Sequence, residues 1–99
     1  MIDSFRDRAL AEFFRTGRPA KGIPADAADR LFRKLQLLDD ATCDLDLRSP
    51  PSNHFEKLSG RLENLHSIRV NGFWRLLFAW DGSTGKARDV RLDPHRYRG

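Results

Sequence analysis

The stretch Ser67-Ile68-Arg69-Val70-Asn71-Gly72-Phe73-Trp74-Arg75-Leu76-Leu77-Phe78 decides the fold class of this chain of 99 residues. Segments rich in β-branched and aromatic side chains flank Asn71-Gly72, a dipeptide typical of tight turns between antiparallel strands. The pattern predicts a β-hairpin with strands over residues 65–70 and 73–80. Side chains alternate between the two faces of a strand, so the hairpin register also predicts which residues face the core.

The predicted register divides the hairpin into a buried face and an open face. A two-residue turn pairs Ser67 with Leu76, and directly paired residues share a face. The face expected to pack under helices collects Leu65, Trp74, Leu76, Phe78 and Trp80. The opposite, open face collects His66, Ile68, Arg75 and Leu77. A further strand over residues 86–92 places Arg88, Val90 and Leu92 on one side. If Val90 and Leu92 face the core, Arg91 joins Arg75 on the open face.

The segments outside the hairpin predict helices first and strands afterwards. A first helix carries the apolar stripe Ala9, Leu10, Phe13 and Phe14 and ends at Gly17 and Pro19. A second helix begins near Pro24 and carries Ala28, Leu31, Phe32, Leu35 and Leu38. Short strands near residues 1–5 and 54–58 extend the sheet, and the acidic segment 39–53 is expected to be a solvated linker. This order predicts an α+β fold, with two N-terminal helices packed on one face of a small, mainly antiparallel, twisted sheet in a single domain of residues 1–99.

Composition excludes several classes of protein. Apolar residues make up 39% of the chain and include seven Phe and two Trp, which is enough for a core. The longest apolar stretch, residues 76–80, is too short for a membrane span, and the N-terminus lacks the apolar segment of a signal peptide. The single cysteine, Cys43, excludes an internal disulfide. The sequence therefore predicts a cytoplasmic domain that does not contact a membrane.

The net charge of +4 lies in the second half of the chain. Residues 1–50 carry nine basic and nine acidic side chains, whereas residues 51–99 carry nine basic and five acidic ones. Arginine outnumbers lysine by 14 to 4, and the planar guanidinium group forms paired hydrogen bonds with phosphate. A basic half rich in Arg and His favours a polyanionic partner, although excess surface arginine alone gives the same composition.

The open face supplies a candidate site for phosphate. Arg75, Arg91 and His66 lie there in the predicted register, next to the basic tail His95-Arg96-Tyr97-Arg98. Arginine donates to phosphate, histidine transfers protons near neutral pH, and the tyrosine of the tail can stack on a base. The same residue types also occur as ordinary surface histidines, as arginines that cover apolar sheet, and at loose chain ends.

No motif in the sequence supplies a metal or an organic cofactor. The acidic segment 39–46 lacks the glycine turn and the terminal glutamate of a calcium loop. Catalysis would therefore rest on side chains alone, and metal-free cleavage of RNA fits that restriction. The substrate's own 2′-hydroxyl acts as the nucleophile, so the protein supplies only a base, an acid and cations.

Segments along essentially the whole chain resemble one family. They are the opening Met1-Ile2-Asp3-Ser4-Phe5, the helix ending Leu35-Gln36-Leu37-Leu38-Asp39, the segment Pro50-Pro51-Ser52-Asn53-His54-Phe55-Glu56-Lys57-Leu58-Ser59-Gly60, and the hairpin pattern already quoted. In these segments the chain is similar to HigB toxins, which belong to the RelE/ParE superfamily of bacterial toxin–antitoxin systems. The resemblance implies two N-terminal helices packed on a small sheet and the activity of a ribosome-dependent mRNA endonuclease. It also implies a HigA-type helix-turn-helix antitoxin, through which alone the toxin would meet operator DNA.

The resemblance further implies a set of catalytic residues. The arginine that the family uses towards the scissile phosphate corresponds to Arg75. The family's C-terminal Asp-Tyr-His corresponds to Asp93-Pro94-His95, so that His95 takes an acid–base role and Asp93 a supporting one. Because Pro94 replaces the tyrosine, Tyr97 is the residue that can stand in for it.

The chain departs from the family pattern ahead of the hairpin. Ser59 occupies the position at which many members carry a catalytic lysine, and Glu56 occupies that of an upstream histidine. Lys57, Arg61 and His54 are the nearby candidates for the missing catalytic charge, and Lys57 is the one predicted to be catalytic. The predicted RNA-binding residues are His54, Arg61, His66, Arg69, Arg91 and Arg96. Two further hypotheses stay open: an inhibitor that binds the ribosome or RNA without cleaving it, and a ParE-like inhibitor of DNA gyrase.

Overall fold

The sheet consists of four antiparallel strands that lie side by side in chain order. The computed structural model describes residues 1–62 and 64–94. The helices are α1 (Arg8–Thr16), α2 (Ala28–Asp40) and α3 (Asp44–Arg48), and the strands are β1 (Glu56–Lys57), β2 (His66–Arg69), β3 (Trp74–Asp81) and β4 (Lys86–Pro94). Short 3-10 helices cover Ala25–Ala27, Pro51–Asn53 and Gly60–Leu62. The described part of the chain contains no helix that is long and apolar enough to cross a membrane.

Both predicted N-terminal helices are confirmed, and their ends follow from local chemistry. The Asp7 carboxylate accepts a hydrogen bond from the Leu10 backbone N–H at 3.2 Å and caps the start of α1. Gly17, in the left-handed region with φ of 70°, ends this helix. One face of α2 carries residues with no exposed surface: Leu31, Leu35 and Leu38. These helices pack on one face of the sheet and form a single core with it.

The acidic segment 39–53 is not the solvated linker that the sequence predicts. Helix α2 continues to Asp40, and α3 turns Leu47 into the core, where it has no exposed surface. Asn53 is also fully buried, and its side-chain nitrogen donates to the backbone oxygens of Leu47 at 3.1 Å and Ser49 at 3.2 Å. Together with Ala41, which is also buried, Leu47 and Asn53 therefore fix this largely polar segment against the core.

The predicted hairpin is confirmed, but its predicted register is wrong by one residue. Ile68 lies opposite Leu76, and Arg69 lies opposite Arg75. Neither residue of Asn71-Gly72 has a positive φ, which a two-residue turn of this kind requires. Instead, the Asn71 side-chain oxygen accepts hydrogen bonds from the backbone N–H groups of Phe73 and Trp74, both at 2.8 Å. The longer loop shifts the pairing and reverses the two faces of β2.

The one-residue shift corrects the face assignments of Ile68 and His66 on β2. Ile68 has no exposed surface and packs in the core, whereas the sequence places it on the open face. His66 lies opposite the buried Phe78 and stacks between Phe55 and Phe78, with ring centroids 5.2 and 6.5 Å away, so its prediction on the open face is wrong. Arg69 takes its place on the open face, next to Arg75.

Strand β4 contains a bulge at Asp89. Leu77 lies opposite Arg91, but Ala79 lies opposite Arg88, so two residues of β4 face one residue of β3. Asp89 has a φ of 54° at this point. The prediction that Arg91 shares the open face with Arg75 is confirmed. Arg88 lies on that face as well and not on the side of Val90, because the bulge changes the alternation of side chains along the strand.

The N-terminal segment forms the predicted edge of the sheet, in a parallel arrangement. Ile2 pairs with Ala87 and Phe5 pairs with Val90. Backbone hydrogen bonds of 2.7 to 3.1 Å join the two segments, including the bond from the Asp3 N–H to the Ala87 carbonyl. The outer edge of β4 is therefore covered by residues from the opposite end of the chain.

Candidate functional site

Arg75 is the central residue of the open sheet face. Its side chain is only 18% exposed, and the next residue in β3, Leu76, is fully buried in the core on the opposite face. The Arg75 Nε donates to the Asp93 carboxylate at 3.0 Å, across the pair that joins β3 to β4. Among the described residues, no hydrogen bond uses the two terminal nitrogens of Arg75. The ion pair therefore fixes the guanidinium group and leaves its outer donors for an anion.

A depression of about 350 Å³ opens beside Arg75. Its lining residues come from β1, β2, β3 and the segments next to them: His54, Glu56, Ser67, Arg69, Asn71, Trp74 and Arg75. We call it the Arg75 depression. It brings together three residues that the sequence predicts for the site, namely His54, Arg69 and Arg75.

Two arginines on the wall of the Arg75 depression face each other across the hairpin. Arg69 and Arg75 are direct cross-strand partners, and Arg69 donates from Nε to the backbone oxygen of Asn71 at 3.2 Å. Like charges directly opposite one another on a sheet destabilise it. Only Arg75 has an ion-pair partner within residues 1–62 and 64–94, namely Asp93. Arg69 therefore has no ion-pair partner among the described residues, and Glu56 is the one acidic side chain in the described lining of the depression.

His54 enters the Arg75 depression because of the turn that precedes it. It follows the 3-10 helix Pro51–Asn53, has a φ of 44°, and donates its backbone N–H to the Pro51 carbonyl at 3.1 Å. The neighbouring Asn53 is fully buried and bonded to the main chain. An exposed histidine is thus held on a rigid turn at the rim of the depression.

The register separates Lys57 from the Arg75 depression. Lys57 lies opposite His66, on the face turned towards the helices, whereas Glu56 lies opposite Ser67 on the open face. Arg61 is exposed in the 3-10 helix Gly60–Leu62 and does not line the depression. The structure therefore does not bring these two predicted cations to the described site.

The remaining predicted residues divide into two groups. Arg91 and Asp93 lie on the open face of β4, two residues apart, opposite Leu77 and Arg75. Three predicted residues, His95, Arg96 and Tyr97, lie outside the described residues. Glu56, Ser67, Asn71 and Trp74 line the Arg75 depression although the sequence does not single them out for it. Ser67 can be assigned to this face only with the correct hairpin register, and Glu56 only with the pairing of β1 and β2 as well.

His66 is kept away from the open face in a neutral form. Burial lowers the pKa of His66 and the Lys57 charge lowers it further, while the Asp44 carboxylate raises it to a smaller extent than burial lowers it. The His66 Nδ1 is buried and has no hydrogen-bond partner within the described part of the chain. This histidine therefore acts as an aromatic ring of the core and does not line the Arg75 depression.

Comparison with known proteins places this small α+β domain with an open basic sheet face in a class of toxins. A family model described as RelE-like toxin of type II toxin-antitoxin system HigB matches residues 3–95. Toxin HigB-1 from Vibrio cholerae is 44% identical over 97 residues, which cover 98% of this chain and 100% of that protein. Endoribonuclease HigB from Proteus vulgaris is 33% identical over 78 residues, which cover 79% of this chain and 83% of that protein.

The fold also has a counterpart among solved structures. A chain of the YoeB-YefM complex from Staphylococcus aureus superposes with a TM-score of 0.52 at 15% identity, covering 98% of this chain and 99% of that one. At this identity the likeness concerns the fold alone. The family match and the full-length relative go further: the chain belongs to the HigB-like toxins of type II toxin–antitoxin systems. The family resemblance and the α+β fold that the sequence predicts are both confirmed.

Proposed function

We propose that this type II toxin is an endoribonuclease that cleaves mRNA on the ribosome through the substrate's own 2′-hydroxyl group, without a metal. One observation carries the proposal: Arg69 and Arg75 are cross-strand partners on the open face, beside His54. A phosphate between the two guanidinium groups removes their mutual repulsion. The relative from Proteus vulgaris that is named an endoribonuclease supports the same chemistry.

In the proposed reaction the 2′-oxygen attacks the adjacent phosphorus, and the bond from phosphorus to the 5′-oxygen breaks. A base takes the proton of the 2′-hydroxyl and an acid returns a proton to the leaving oxygen, so the products carry a 2′,3′-cyclic phosphate and a 5′-hydroxyl. Arg75 stabilises the charge that develops on the phosphate oxygens, and Asp93 positions Arg75 for this task. His95, two residues after Asp93 in the sequence, is the proposed acid–base residue, and Tyr97, two residues further on, is proposed to assist it.

The substrate contacts follow from the same face. Arg69 and His54 contact the RNA at the Arg75 depression, and Arg91 extends the basic surface along β4. As partner we propose a HigA-type helix-turn-helix antitoxin, which alone would contact operator DNA. The family's place in a two-component toxin–antitoxin system supports an antitoxin partner, and we propose that the toxin acts in the cytoplasm, where ribosomes translate.

One observation favours a second candidate function, inhibition by RNA binding without cleavage. Ser59 occupies the family's lysine position, and the nearest lysine, Lys57, lies opposite His66 and therefore on the other face from Arg75. With one catalytic cation missing, the open face would still bind the phosphates of RNA, but it would cleave the strand too slowly to act as a nuclease. The experiment below separates the two candidates.

The test is the substitution Arg75→Ala, measured as the rate at which ribosome-bound mRNA is cleaved, with breaks mapped by primer extension. Loss of a fixed donor to the developing charge should reduce the rate by about 100- to 1,000-fold. Discrete breaks by the parent protein support the endoribonuclease. A parent that binds RNA and arrests growth without breaks supports the second candidate.

Arg88→Ala is the matched control. Like Arg75, Arg88 lies on the open face of the sheet, here on β4, and its Nε donates to an aspartate, Asp3, at 3.1 Å. It does not line the Arg75 depression. Cleavage should therefore stay close to that of the parent. Equal cleavage by Arg75→Ala, Arg88→Ala and parent would show that the Arg75 depression is not the active site.

A further inference from the structure

A second, larger concavity lies between α2 and the tip of the hairpin. It measures about 920 Å³ and is open to solvent. Four cations line it, three from α2 and one from β2: Arg30, Arg33, Lys34 and Arg69. We call it the α2–hairpin groove. The three α2 residues are absent from the site predicted from the sequence.

The charges of the α2–hairpin groove are uncompensated. The other lining residues are Leu37, Ser52, Val70, Asn71 and Gly72, none of which is acidic. Within residues 1–62 and 64–94, none of the four cations takes part in an ion pair. Partial burial lowers the pKa of Lys34, and the charge of Arg30 lowers it further. Four cations held together at this cost favour an anionic ligand with several charges.

The groove adjoins the Arg75 depression. Arg69 and Asn71 line both, so the two concavities share one wall at the hairpin. A strand whose scissile phosphate lies at Arg75 would therefore pass into the groove with its neighbouring phosphates. The shared wall of the two concavities favours an RNA strand over a separate acidic peptide as the occupant.

An exposed aromatic side chain stands next to the groove at the hairpin tip. Phe73 is 69% exposed and follows Gly72, a lining residue. Its backbone is fixed by the bond from its N–H to the Asn71 side chain at 2.8 Å. Proteins that bind single-stranded nucleic acid combine such aromatic platforms with a basic groove, because every base has a face on which an aromatic ring stacks.

We infer that the α2–hairpin groove binds the backbone of the substrate RNA beyond the cleaved bond, through Arg30, Arg33, Lys34 and Arg69, while Phe73 stacks on one of its bases. This inference rests on the proposed function for the identity of the strand. It adds a length requirement to that function: nucleotides outside the cleaved step contribute to affinity.

The test compares two double variants with the same change of charge. Arg30→Gln with Arg33→Gln removes two groove cations, and Lys34 is left in place because it also bonds the buried Asn53. Arg18→Gln with Lys21→Gln is the control, in the exposed segment between α1 and α2, away from the groove. The probe is a single-stranded RNA of about ten nucleotides with 2′-O-methyl groups, which cannot be cleaved through the 2′-oxygen.

The groove variant should bind this probe more weakly than the control variant. The slope of log affinity against log salt concentration should fall in magnitude by about 1.4, because each phosphate contact on a single strand contributes about 0.7. A probe shortened to the two nucleotides of the cleaved step should bind parent and groove variant equally. Identical binding of the long probe by both double variants would overturn the inference.

Phe73→Ala tests the stacking contact without changing charge. Affinity for the long probe should fall by about 5- to 150-fold, the range for the loss of one stacked base, and Phe73→Trp should retain it. Leu45→Ala, at an equally exposed residue on α3, should leave affinity unchanged. If Phe73→Ala also leaves affinity unchanged, no base stacks on Phe73.

Two outcomes separate this inference from the proposed function. If the parent protein cleaves mRNA and the groove variant binds the long probe like the control, the function stands and the groove inference fails. If the parent cleaves nothing but groove substitutions weaken the long probe alone, the groove inference stands and the cleavage proposal fails. Loss of antitoxin binding by the groove variant, with RNA affinity retained, would assign the groove to an acidic protein segment and overturn the inference.

Discussion

The His66 ring lies between Phe55 and Phe78, and its Nδ1 is buried without a partner among the described residues. Protonation would place a charged N–H in that position with no acceptor, which is why burial lowers the pKa of this histidine. Near neutral pH the ring is therefore uncharged and packs as an aromatic side chain. One histidine thus links the stability of the sheet to pH.

Stability should decrease as the pH falls below the ordinary pKa of histidine, about 6.5. The folded state holds a proton on His66 less tightly than the unfolded chain does, so the unfolded chain takes up more protons below that pKa. The contribution of the neutral ring is complete above pH of about 6.5 and is lost as the pH falls towards the lower pKa of the folded state. Urea denaturation of the parent and His66→Phe between pH of about 7 and 5 measures it.

The substitution His66→Phe should flatten this dependence, because phenylalanine fits between the same rings and does not titrate. The matched control is His54→Gln, at an exposed histidine, which should keep the dependence of the parent. Asp46 and Asp81 have lowered pKa values through hydrogen bonds, so their titration falls at more acidic pH and does not overlap. An unchanged pH dependence in His66→Phe would mean that other groups produce it.

At the residue scale, the sequence predicts Arg75 and Arg91 on the open face because side chains alternate between the two faces of β3 and β4, and Trp74, Leu76, Val90 and Leu92 are expected to face the core. It also predicts Asp93 by family resemblance, without its bond to Arg75. It could not predict that Glu56 lines the Arg75 depression while Lys57 turns away. That result depends on how β1 pairs with β2, which no local pattern encodes.

The loop of the hairpin is the element that sets the pairing of β2 with β3. The Asn71 side-chain oxygen accepts hydrogen bonds from the backbone N–H groups of Phe73 and Trp74. The Val70 N–H donates to the Trp74 carbonyl at 2.9 Å. A side chain therefore stabilises the loop, whereas a two-residue turn would depend on backbone conformations with positive φ. Arg69 and Arg75 become partners only because of this longer loop.

Gly72→Ala and Asn71→Ala distinguish the observed loop from a two-residue turn. In a two-residue turn Gly72→Ala would cost more stability, whereas in the observed loop we expect Asn71→Ala to cost more. Gly72 does not have a positive φ, and an added Cβ would meet only the Arg69 terminal nitrogen at 3.9 Å, so Gly72→Ala should change the free energy of unfolding by less than about 0.5 kcal/mol. Asn71→Ala removes two hydrogen bonds and should cost about 1 to 3 kcal/mol. Urea denaturation of both variants checks the pair, and a larger loss in Gly72→Ala would support the two-residue turn.

At the element scale, the helices are predictable because their signals are local. The Asp7 cap and the Gly17 stop lie at the two ends of α1, and the apolar face of α2 repeats every three to four residues, so each signal lies within or next to the helix it specifies. The hairpin register is harder to predict than the helices, because Asn71-Gly72 is compatible with two loop conformations. The hydrogen bonds of the Asn71 side chain select between them. The bulge at Asp89 cannot be predicted from the sequence of β4 alone, because it depends on how β4 pairs with β3.

The two halves of the molecule meet where the β3–β4 turn packs against the connection between α2 and α3. Gly85 lies at this contact with a φ of 68°, and an added Cβ would be 2.7 Å from the Thr42 Cα and from its carbonyl oxygen. Neither backbone segment can move without displacing the strand or the helix it belongs to. Helices and sheet are thus joined here through main-chain atoms as well as through the apolar core.

Gly85→Ala should destabilise the protein by about 2 to 4 kcal/mol, combining the strain of a left-handed backbone with overpacking against Thr42. Gly60→Ala is the matched control: Gly60 has a similar φ of 69°, but an added Cβ would meet nothing within 4 Å in the described part of the chain. It should lose only the backbone part, about 1 to 2 kcal/mol. Equal losses in urea denaturation would show that Thr42 yields to the new side chain.

The pairing of the N-terminal segment with β4 has a consequence for how this toxin is made. The partners of Ile2 and Phe5 are Ala87 and Val90, about 85 positions later in the chain. During synthesis the first residues leave the ribosome long before their partners exist, and they stay unpaired until residue 90 has emerged. The outer edge of the sheet therefore cannot close before Ala87 and Val90 have been synthesised, although the residues that cover it are among the first to be made.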